Sequence, residues 1–300
     1  MTTERADLVS RVLPQITLGT GAPGDLTAPP SPLPPSMTPA ERARERFRLG
    51  GNVIVTGGAG DLGFAASRGL LEHGVQGLAI FDVDPILAEA KVSVLESEFP
   101  DAKIRFFKVD ITDEEAVDTA VAQTVSTLGP VTTLLNFAGI VDCGHALDWR
   151  SKDWNRVLNV NTVGGFFVAR AVARHMILHK TGGSIIFVAS VSAHQVNYPQ
   201  PQVSYNVSKA GVRAMARSLA GEWARYGIRV NSISPGYMDT ILNEGDGLDE
   251  ARRIWLSRHP MGRMGQPDEL CGVVVMLASR AGSYFNGTDL LVDGGQTLFM

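Results

Sequence analysis

Short apolar runs alternate with longer amphipathic segments along most of the chain. The runs at 52–56 (NVIVT), 78–82 (LAIFD) and 104–110 (IRFFKVD) are rich in β-branched and aromatic residues and have the length of buried strands. Between them, residues 62–74 and 85–99 carry apolar side chains at helical spacing, and the second segment begins with a proline, as helices often do. The pattern predicts repeated strand–helix–strand units.

The same alternation continues to the C-terminus. Four further strands are predicted, at 132–139, 183–190, 228–236 and 289–295, and four further helices, at 113–129, 151–180, 203–225 and 267–279. Alternation at this spacing predicts right-handed crossovers and a parallel sheet covered on both faces. We therefore expect an α/β protein with a single-domain Rossmann fold: a doubly wound parallel sheet of about seven strands with helices on both faces.

The first 45 residues differ from the rest. The segment TAPPSPLPPSMTP (27–39) is too rich in proline for the interior of a helix or sheet, so residues 1–45 are predicted to be a flexible arm and 46–300 the Rossmann domain. A disordered tail and a short helix near the N-terminus that packs on a neighbouring subunit are both compatible with the first residues. The looser region at about 238–262 is the expected substrate lid.

Composition and charge narrow the class of protein. Of 300 residues, 44% are hydrophobic and 19% are charged, which is typical of a soluble globular protein. The net charge of −4 argues against nucleic acid or an anionic membrane as a partner. No apolar run approaches the roughly 20 residues of a transmembrane helix. Cys143 and Cys271 form neither a disulfide framework nor a metal site, so we expect a cytoplasmic protein without a metal.

A glycine-rich turn follows the first strand. In TGGAGDLG (56–63), glycines allow a sharp turn and close approach to a diphosphate, and the next helix offers free N–H groups at its N-terminus. Asp82 ends the second strand, where a carboxylate accepts hydrogen bonds from ribose hydroxyls and repels a 2′-phosphate. The turn and Asp82 favour NAD over NADP. The alternative role, a cap for the following helix, fits Asp84 better.

A tyrosine and a lysine lie on one face of a predicted helix. Tyr205 and Lys209 are four positions apart, so the ammonium can lower the pKa of the phenol from its usual value of about 10. Ser190, at the end of the preceding strand, can hold a carbonyl or hydroxyl oxygen beside them. This combination suits proton transfer in alcohol–ketone chemistry. A tyrosine and a lysine on a solvated helix face are the plainer alternative.

Together these motifs resemble the short-chain dehydrogenase/reductase family over about residues 46–300. The matching segments are the cofactor turn at 56–63, NFAG at 136–139, VNT at 160–162, Ser190, Tyr205, Lys209, SPG at 234–236 and VDGG at 292–295. Residues 192–211 (SAHQVNYPQPQVSYNVSKAG) are similar to fungal polyol dehydrogenases and ketose reductases of the mannitol, sorbose and xylulose type.

The resemblance implies an NAD(H)-dependent oxidoreductase that interconverts a secondary alcohol and a ketone. A polyol or ketose is the substrate suggested by the similarity, and a secondary metabolite is the alternative. The implied catalytic residues are Tyr205 as general acid and base, Ser190 on the substrate oxygen, Lys209 on the tyrosine and the ribose, and Asn161 holding a water between Lys209 and solvent. A polar residue at a helix kink is the other interpretation of Asn161.

The implied binding residues follow from the same motifs. For the cofactor they are Gly57, Gly60, Asp61, Leu62, Gly63, Asp82, Asp110, Ile111, Asn136, Ala138, Gly139, Tyr205, Lys209, Pro235, Gly236, Met238 and Thr240. The candidate substrate residues are His194, Tyr198 and Trp255, with loop packing as the alternative for His194.

The chain departs from the family pattern in several places. Asp61 replaces the second glycine of the turn, and we expect it to point away from the diphosphate and cap the helix. Phe137 replaces the second asparagine of the strand-end motif. The spacing from Ser190 to Tyr205 predicts an enlarged loop. Asp82 departs from the NADP preference common in the mannitol dehydrogenase branch.

Two further expectations concern function and assembly. A non-catalytic dinucleotide-binding regulator on the same fold is the alternative function, although it would not need Ser, Tyr, Lys and Asn in register. The family implies a homo-oligomer, a dimer or tetramer, with the helices at 151–180 and 203–225 and the apolar end TLFM in the interface.

Overall fold

The predicted strands form one parallel sheet in the computed structural model, which describes residues 11–298 apart from the side chains at positions 242 and 246. The strands are β1 Asn52–Thr56, β2 Gly77–Asp82, β3 Lys103–Lys108, β4 Val131–Asn136, β5 Gly183–Val188, β6 Ile228–Pro235 and β7 Asp289–Val292. Their order is β3-β2-β1-β4-β5-β6-β7. The chain therefore turns from one half of the sheet to the other between β1 and β4, which opens a crevice at their carboxyl ends. The predicted Rossmann fold is confirmed.

Helices cover both faces of the sheet. They are α1 Pro39–Phe47, α2 Asp61–Glu72, α3 Pro85–Glu98, α4 Glu114–Leu128, α5 Ser151–Leu158, α6 Gly165–His179, α7 Val203–Trp223, α8 Asp249–Ser257 and α9 Cys271–Ala278. Successive strand residues face opposite layers: Ile54 packs in the core with α4, α6 and α7, while Val53 and Val55 pack in the core with α2, α3 and α9. None of these helices is both long and apolar enough to span a bilayer.

The helix predicted across 151–180 is locally irregular. A π-helical turn, Asn159–Gly164, lies between α5 and α6, within a run that is helical from Ser151 to His179, so the predicted long helix is confirmed with a local irregularity. The side chain of Asn161 bonds outside the helix, to the backbone of Ile140. Gly164 lies against Ile111, whose Cγ1 would be 2.8 Å from a Cβ at this position. The wide turn therefore adapts the helix to the segments that follow β3 and β4.

The proline-rich arm contacts the domain. Its predicted end at residue 45 falls inside α1, which begins with a capping box between Thr38 and Glu41. Before this helix, the Leu26 carbonyl lies close to Gly227 at the start of β6, and the Arg280 guanidinium donates to the carbonyl of Ser31. These contacts place the arm at the amino ends of the strands. Most of the possible N-terminal helix and the last two residues of TLFM lie outside the described residues.

Candidate active site

A cleft of about 1140 Å³ lies at the carboxyl ends of the strands. It is bounded by the β1–α2 turn, by the segments that follow β2 to β6, and by part of segment 238–262, the predicted lid. Sixteen of the predicted cofactor residues line it: Gly57, Gly60, Asp61, Leu62, Gly63, Asp82, Asp110, Ile111, Ala138, Gly139, Tyr205, Lys209, Pro235, Gly236, Met238 and Thr240. The predicted set is thus largely brought together.

The glycine turn is shaped to receive a diphosphate. Gly57 has φ +63°, and a Cβ there would be 2.7 Å from the backbone nitrogen of Ala138. A Cβ on Gly63 would collide with the Gly57 carbonyl. The helix α2 begins directly after Gly60, and a glycine has no side chain that could accept hydrogen bonds from the first turn. The backbone N–H groups of this turn are therefore available to phosphate oxygens. These residues fit the diphosphate of a dinucleotide.

Contrary to the prediction, Asp61 does not cap α2. Gly60 is the N-cap residue, and Asp61 is the first residue of the helix. Its Oδ2 accepts a hydrogen bond from the backbone N–H of Ile241, at 3.2 Å, and Lys91 Nζ lies 4.0 Å from Oδ1. The carboxylate is therefore turned toward the lid, which it ties to the phosphate turn.

Asp82 both organises the turn and lines the cleft. One carboxylate oxygen accepts from the N–H of Ala59 at 3.1 Å, and the other from the N–H groups of Val83 and Asp84 at 2.8 and 3.2 Å. Asp84 caps α3, as the sequence suggested. The other described residues that line this end of the cleft are Phe81, Val83, Leu87, Val109, Asp110, Ile111 and Thr112, and none of them carries a positive charge.

Asn136 is the exception among the predicted cofactor residues. Its Oδ1 accepts from Thr56 Oγ1 at 3.1 Å, and its Nδ2 donates to the carbonyl of Gly165 at 3.1 Å. The side chain is buried and is not among the cleft-lining residues. Asn136 therefore joins β1 and β4 to α6, and its side chain does not lie with the other predicted cofactor residues.

Ser190, Tyr205 and Lys209 converge beside the cleft. Ser190 precedes a single 3-10 turn, Val191–Ala193, and its Oγ lies 3.1 Å from Ser192 Oγ. Lys209 Nζ lies 5.5 Å from the centre of the Tyr205 ring. Tyr205 and Lys209 project from the same face of α7, as their spacing predicted.

Burial controls the charges of Tyr205 and Lys209. It raises the pKa of the Tyr205 phenol to about 12, and the nearby Ser190 hydroxyl acts in the opposite direction. Burial also lowers the pKa of the Lys209 ammonium to about 8. Burial of the phenol therefore opposes the expected lowering of the tyrosine pKa by Lys209.

Asn161 links the π-helical turn to both the β4 end and α7. Its Nδ2 donates to the carbonyl of Ile140 and to Ser208 Oγ, each at 2.9 Å, and its Oδ1 accepts from the N–H of Ile140 at 2.8 Å. A Cβ on Gly139 would be 3.2 Å from this Oδ1 and 3.5 Å from Lys209 Nζ. Asn161 and Lys209 thus flank one strand-end segment. The kink interpretation of Asn161 agrees with its place in the π turn.

Two of the three candidate substrate residues lie outside the cleft. His194 Nε2 is 2.7 Å from Asp289 Oδ2, and its Nδ1 is 3.0 Å from the Arg213 guanidinium. This is the loop-packing role that the sequence left as an alternative. Tyr198 is 54% exposed and stacks under Arg258, whose guanidinium carbon is 4.3 Å from the ring centre. The enlarged loop turns both side chains away from the cleft.

Trp255, the third candidate, lines the cleft together with polar residues that the motifs did not identify. It projects from α8 in the lid, stacks on Tyr237 with ring centres 4.1 Å apart, and donates from Nε1 to Gln200 Oε1 at 3.1 Å. Gln200 and Gln202 come from the enlarged loop, and Tyr237 directly follows SPG. Their only sequence signal was proximity to the motifs. No cluster of three His, Cys, Asp or Glu suited to a metal occurs within the described part of the chain.

Comparison with known proteins agrees with this geometry. Residues 57–297 match the family model described as Enoyl-(Acyl carrier protein) reductase. The chain is 40% identical to NADP-dependent mannitol dehydrogenase of Hypocrea jecorina over 88% of this chain and 99% of the relative. It is also 40% identical to the ribulose-forming D-arabinitol 2-dehydrogenase of Candida tropicalis over 83% of this chain and 93% of the relative.

A solved structure shows the same architecture. A short-chain type dehydrogenase/reductase from Mycobacterium marinum superposes with a TM-score of 0.79 at 32% identity, covering 87% of this chain and 99% of that protein.

Proposed function

The chain belongs to the short-chain dehydrogenase/reductase family and is an oxidoreductase, and we propose that it interconverts a polyol and a ketose with NAD(H). The observation that carries the proposal is the convergence of Ser190, Tyr205 and Lys209 at one end of a cleft whose other end holds the glycine turn and Asp82. A bound dinucleotide would span these two ends. A substrate oxygen placed between Ser190 and Tyr205 would then lie beside the nicotinamide.

Tyr205 is the proton donor when a ketone is reduced. With its pKa raised by burial to about 12, the phenol keeps its proton at neutral pH, and it can give up this proton once hydride transfer has made the substrate oxygen a stronger base. Ser190 stabilises the negative charge that develops on the substrate oxygen. When bound, the nicotinamide supplies or accepts the hydride and, in its oxidised form, adds a positive charge. In the oxidation direction that charge and Lys209 favour loss of the tyrosine proton.

Lys209 has two roles in this proposal. Its ammonium faces the carbonyl of Val188 and flanks Gly139, where it can reach the nicotinamide ribose. It also exchanges protons with solvent through a water held beside Asn161. The support for this water is the position of Asn161: its Oδ1 and the Lys209 ammonium both lie close to Gly139.

The cofactor assignment to NAD rests on Asp82. A 2′-phosphate at this end of the cleft would meet a carboxylate and, among the described lining residues, no positive charge to offset it. The mannitol dehydrogenase relative is named as NADP-dependent. We therefore propose that the cofactor preference of this chain differs from that relative.

The substrate assignment rests on the polarity of the cleft near Tyr205. Ser192, Asn197, Gln200, Gln202 and Tyr237 line this end, which suits a substrate with several hydroxyl groups. The two relatives described above are named for mannitol and D-arabinitol, both open-chain polyols. We also propose a homo-oligomer, supported by exposed apolar side chains such as Leu291 and Leu298 near the C-terminus.

Turnover of a panel of polyols and ketoses with NADH and NADPH tests the function. Replacing Tyr205→Phe should lower kcat by about 10²- to 10⁴-fold while NADH binding, measured by fluorescence, persists. Tyr284→Phe makes the same change at a fully exposed tyrosine and should have no effect. Normal turnover by the Tyr205 variant would contradict the mechanism. Tight NADH binding by a wild-type protein that converts no substrate would favour the non-catalytic regulator.

A further inference from the structure

The hydroxyl of Tyr237 has one hydrogen-bonding position, at the substrate end of the cleft, that no described residue fills. We infer that Tyr237 bonds through this position to a hydroxyl of the substrate, on a carbon next to the reacting one, so that the site selects vicinal diols and α-hydroxy ketones. The inference rests on the proposed function and adds the residue that decides between substrates. It follows from the partners of the phenol oxygen.

The first step fixes the orientation of the Gln200 amide. The indole Nε1 of Trp255 is only a donor, and it lies 3.1 Å from Gln200 Oε1. The carbonyl oxygen of the amide therefore faces Trp255. The NH₂ group must then face the other way, where Gln200 Nε2 lies 2.9 Å from the Tyr237 hydroxyl oxygen. Gln200 thus donates to Tyr237.

The second step accounts for the remaining positions of the phenol. Asn197 lies on its other side, with Nδ2 3.1 Å from the Tyr237 oxygen. The Oδ1 of Asn197 is buried without a partner, so this amide can either donate to the phenol or, turned over, accept its proton. In both arrangements one hydrogen-bonding position of the hydroxyl is left, and no further partner lies within hydrogen-bonding distance among residues 11–298, leaving aside the side chains at 242 and 246. Tyr237 lines the cleft, and a substrate hydroxyl there would fill this position.

The third step places this hydroxyl near the reacting atoms. Tyr237 lines the same cleft as Ser190 and Tyr205. Gln202, two residues after the Gln200 that bonds Tyr237, donates from Nε2 to Ser192 Oγ at 3.3 Å, and Ser192 Oγ lies 3.1 Å from Ser190 Oγ. A substrate whose reacting oxygen contacts Ser190 and Tyr205 would therefore present a neighbouring oxygen to Tyr237.

The surroundings hold the Tyr237 ring in place. It is nearly parallel to the Trp255 indole, with an interplanar angle of 13°. The preceding Gly236 packs on Asp293, whose Cα would be 2.9 Å from a Cβ at position 236. A fixed hydroxyl can discriminate between substrates, because an analogue without the second oxygen leaves one of its hydrogen-bonding positions unpaired.

The test compares two substrates in three proteins. A vicinal polyol and a secondary alcohol of similar length that lacks the neighbouring hydroxyl are assayed with the wild type, Tyr237→Phe and Tyr284→Phe. Tyr237→Phe keeps the ring that stacks on Trp255 and removes only the hydroxyl. We expect the ratio of kcat/KM for the diol to that for the simple alcohol to fall by about 10- to 100-fold in this variant and to stay unchanged in Tyr284→Phe.

The outcomes separate this inference from the proposed function. A wild type that converts neither substrate class refutes the proposed function and the inference together. An active wild type without preference for the diol, or a preference that survives in Tyr237→Phe, refutes the inference alone. If Tyr237→Phe does not fold, Gln200→Leu replaces it. That change removes the amide that holds the phenol and connects it to Trp255, so it should lower the same ratio by several-fold, and an unchanged ratio would refute the inference.

Discussion

Lys209 Nζ donates a 2.7 Å hydrogen bond to the backbone carbonyl of Val188, in the interior of the protein. This bond ties α7, which carries Tyr205, to the end of β5, two positions before Ser190. The relative positions of the two groups that would hold the substrate oxygen therefore depend on a buried ammonium. A buried positive charge is unfavourable to the folded state, so the arrangement has a measurable effect on stability.

Replacing Lys209→Met should stabilise the protein at neutral pH while abolishing turnover. Burial lowers the lysine pKa from 10.5 to about 8. Between about pH 8 and pH 10.5, Lys209 is protonated in the unfolded chain and neutral in the folded protein. The wild type therefore becomes more stable as the pH rises through this range. At pH 7 the variant should therefore be more stable by about 1–3 kcal/mol, allowing for the lost hydrogen bond.

Urea unfolding of both proteins at pH 7 and pH 10 measures this effect. The advantage of the variant should shrink at pH 10, where the folded wild type has already lost the proton. Lys103→Met, at an exposed position of β3, is the control and should show no such pH dependence. A stability gain that is the same at both pH values would contradict the argument.

Cofactor preference should change when the charge of Asp82 is removed. Asp82→Asn keeps an oxygen that can accept from the N–H of Ala59 but no longer repels a phosphate. The ratio of kcat/KM with NADPH to that with NADH should rise by about tenfold or more. Asp84→Asn removes an equivalent charge from the cap of α3 and should leave the ratio unchanged. A fixed ratio in Asp82→Asn would show that the charge does not set the preference.

Asn136 should matter for stability and not for cofactor binding. Asn136→Ala leaves the carbonyl of Gly165 without its donor and leaves Thr56 without its acceptor, both in the interior. We expect a loss of about 1–3 kcal/mol of unfolding free energy. The dissociation constant of NADH should stay within about threefold, because the side chain does not line the cleft. A large change in that constant without destabilisation would restore the sequence-based assignment.

The sequence predicted those parts of the fold and site that follow from a local pattern, namely the apolar runs of the strands and the motifs at the strand ends. Every strand was located from its apolar run, and the glycine turn, Asp82 and the Ser190–Tyr205–Lys209 set line one cleft. Apolar periodicity reports which face of an element is buried, and the carboxyl ends of parallel strands necessarily meet.

What the sequence did not predict depends on contacts between distant segments. Asn136 and His194 carry side chains suited to ligands, but their partners, Gly165 and Asp289, come from elements far along the chain. The π turn at Asn161 arises from packing against the segment after β4, and helical periodicity continues through it. Tyr237 was missed because its role depends on two amides from another loop.

The lid position should depend on Asp61. Asp61→Ala removes the acceptor for the N–H of Ile241 and leaves α2 otherwise intact. The KM for NADH should rise by several-fold, and limited proteolysis within 238–262 should become faster because this segment loses an anchor. Asp110→Ala, which removes a carboxylate elsewhere in the cleft, is the control for charge alone and should not affect proteolysis of the lid.

The bond between Asp61 and Ile241 has a consequence for the order of events in a catalytic cycle. It joins the segment that would cover the substrate to the turn that would hold the diphosphate. Retraction of this cover would break the hydrogen bond, so departure of a dinucleotide and opening of the cover would be coupled. A slow retraction would then appear in kinetics as slow release of the coenzyme.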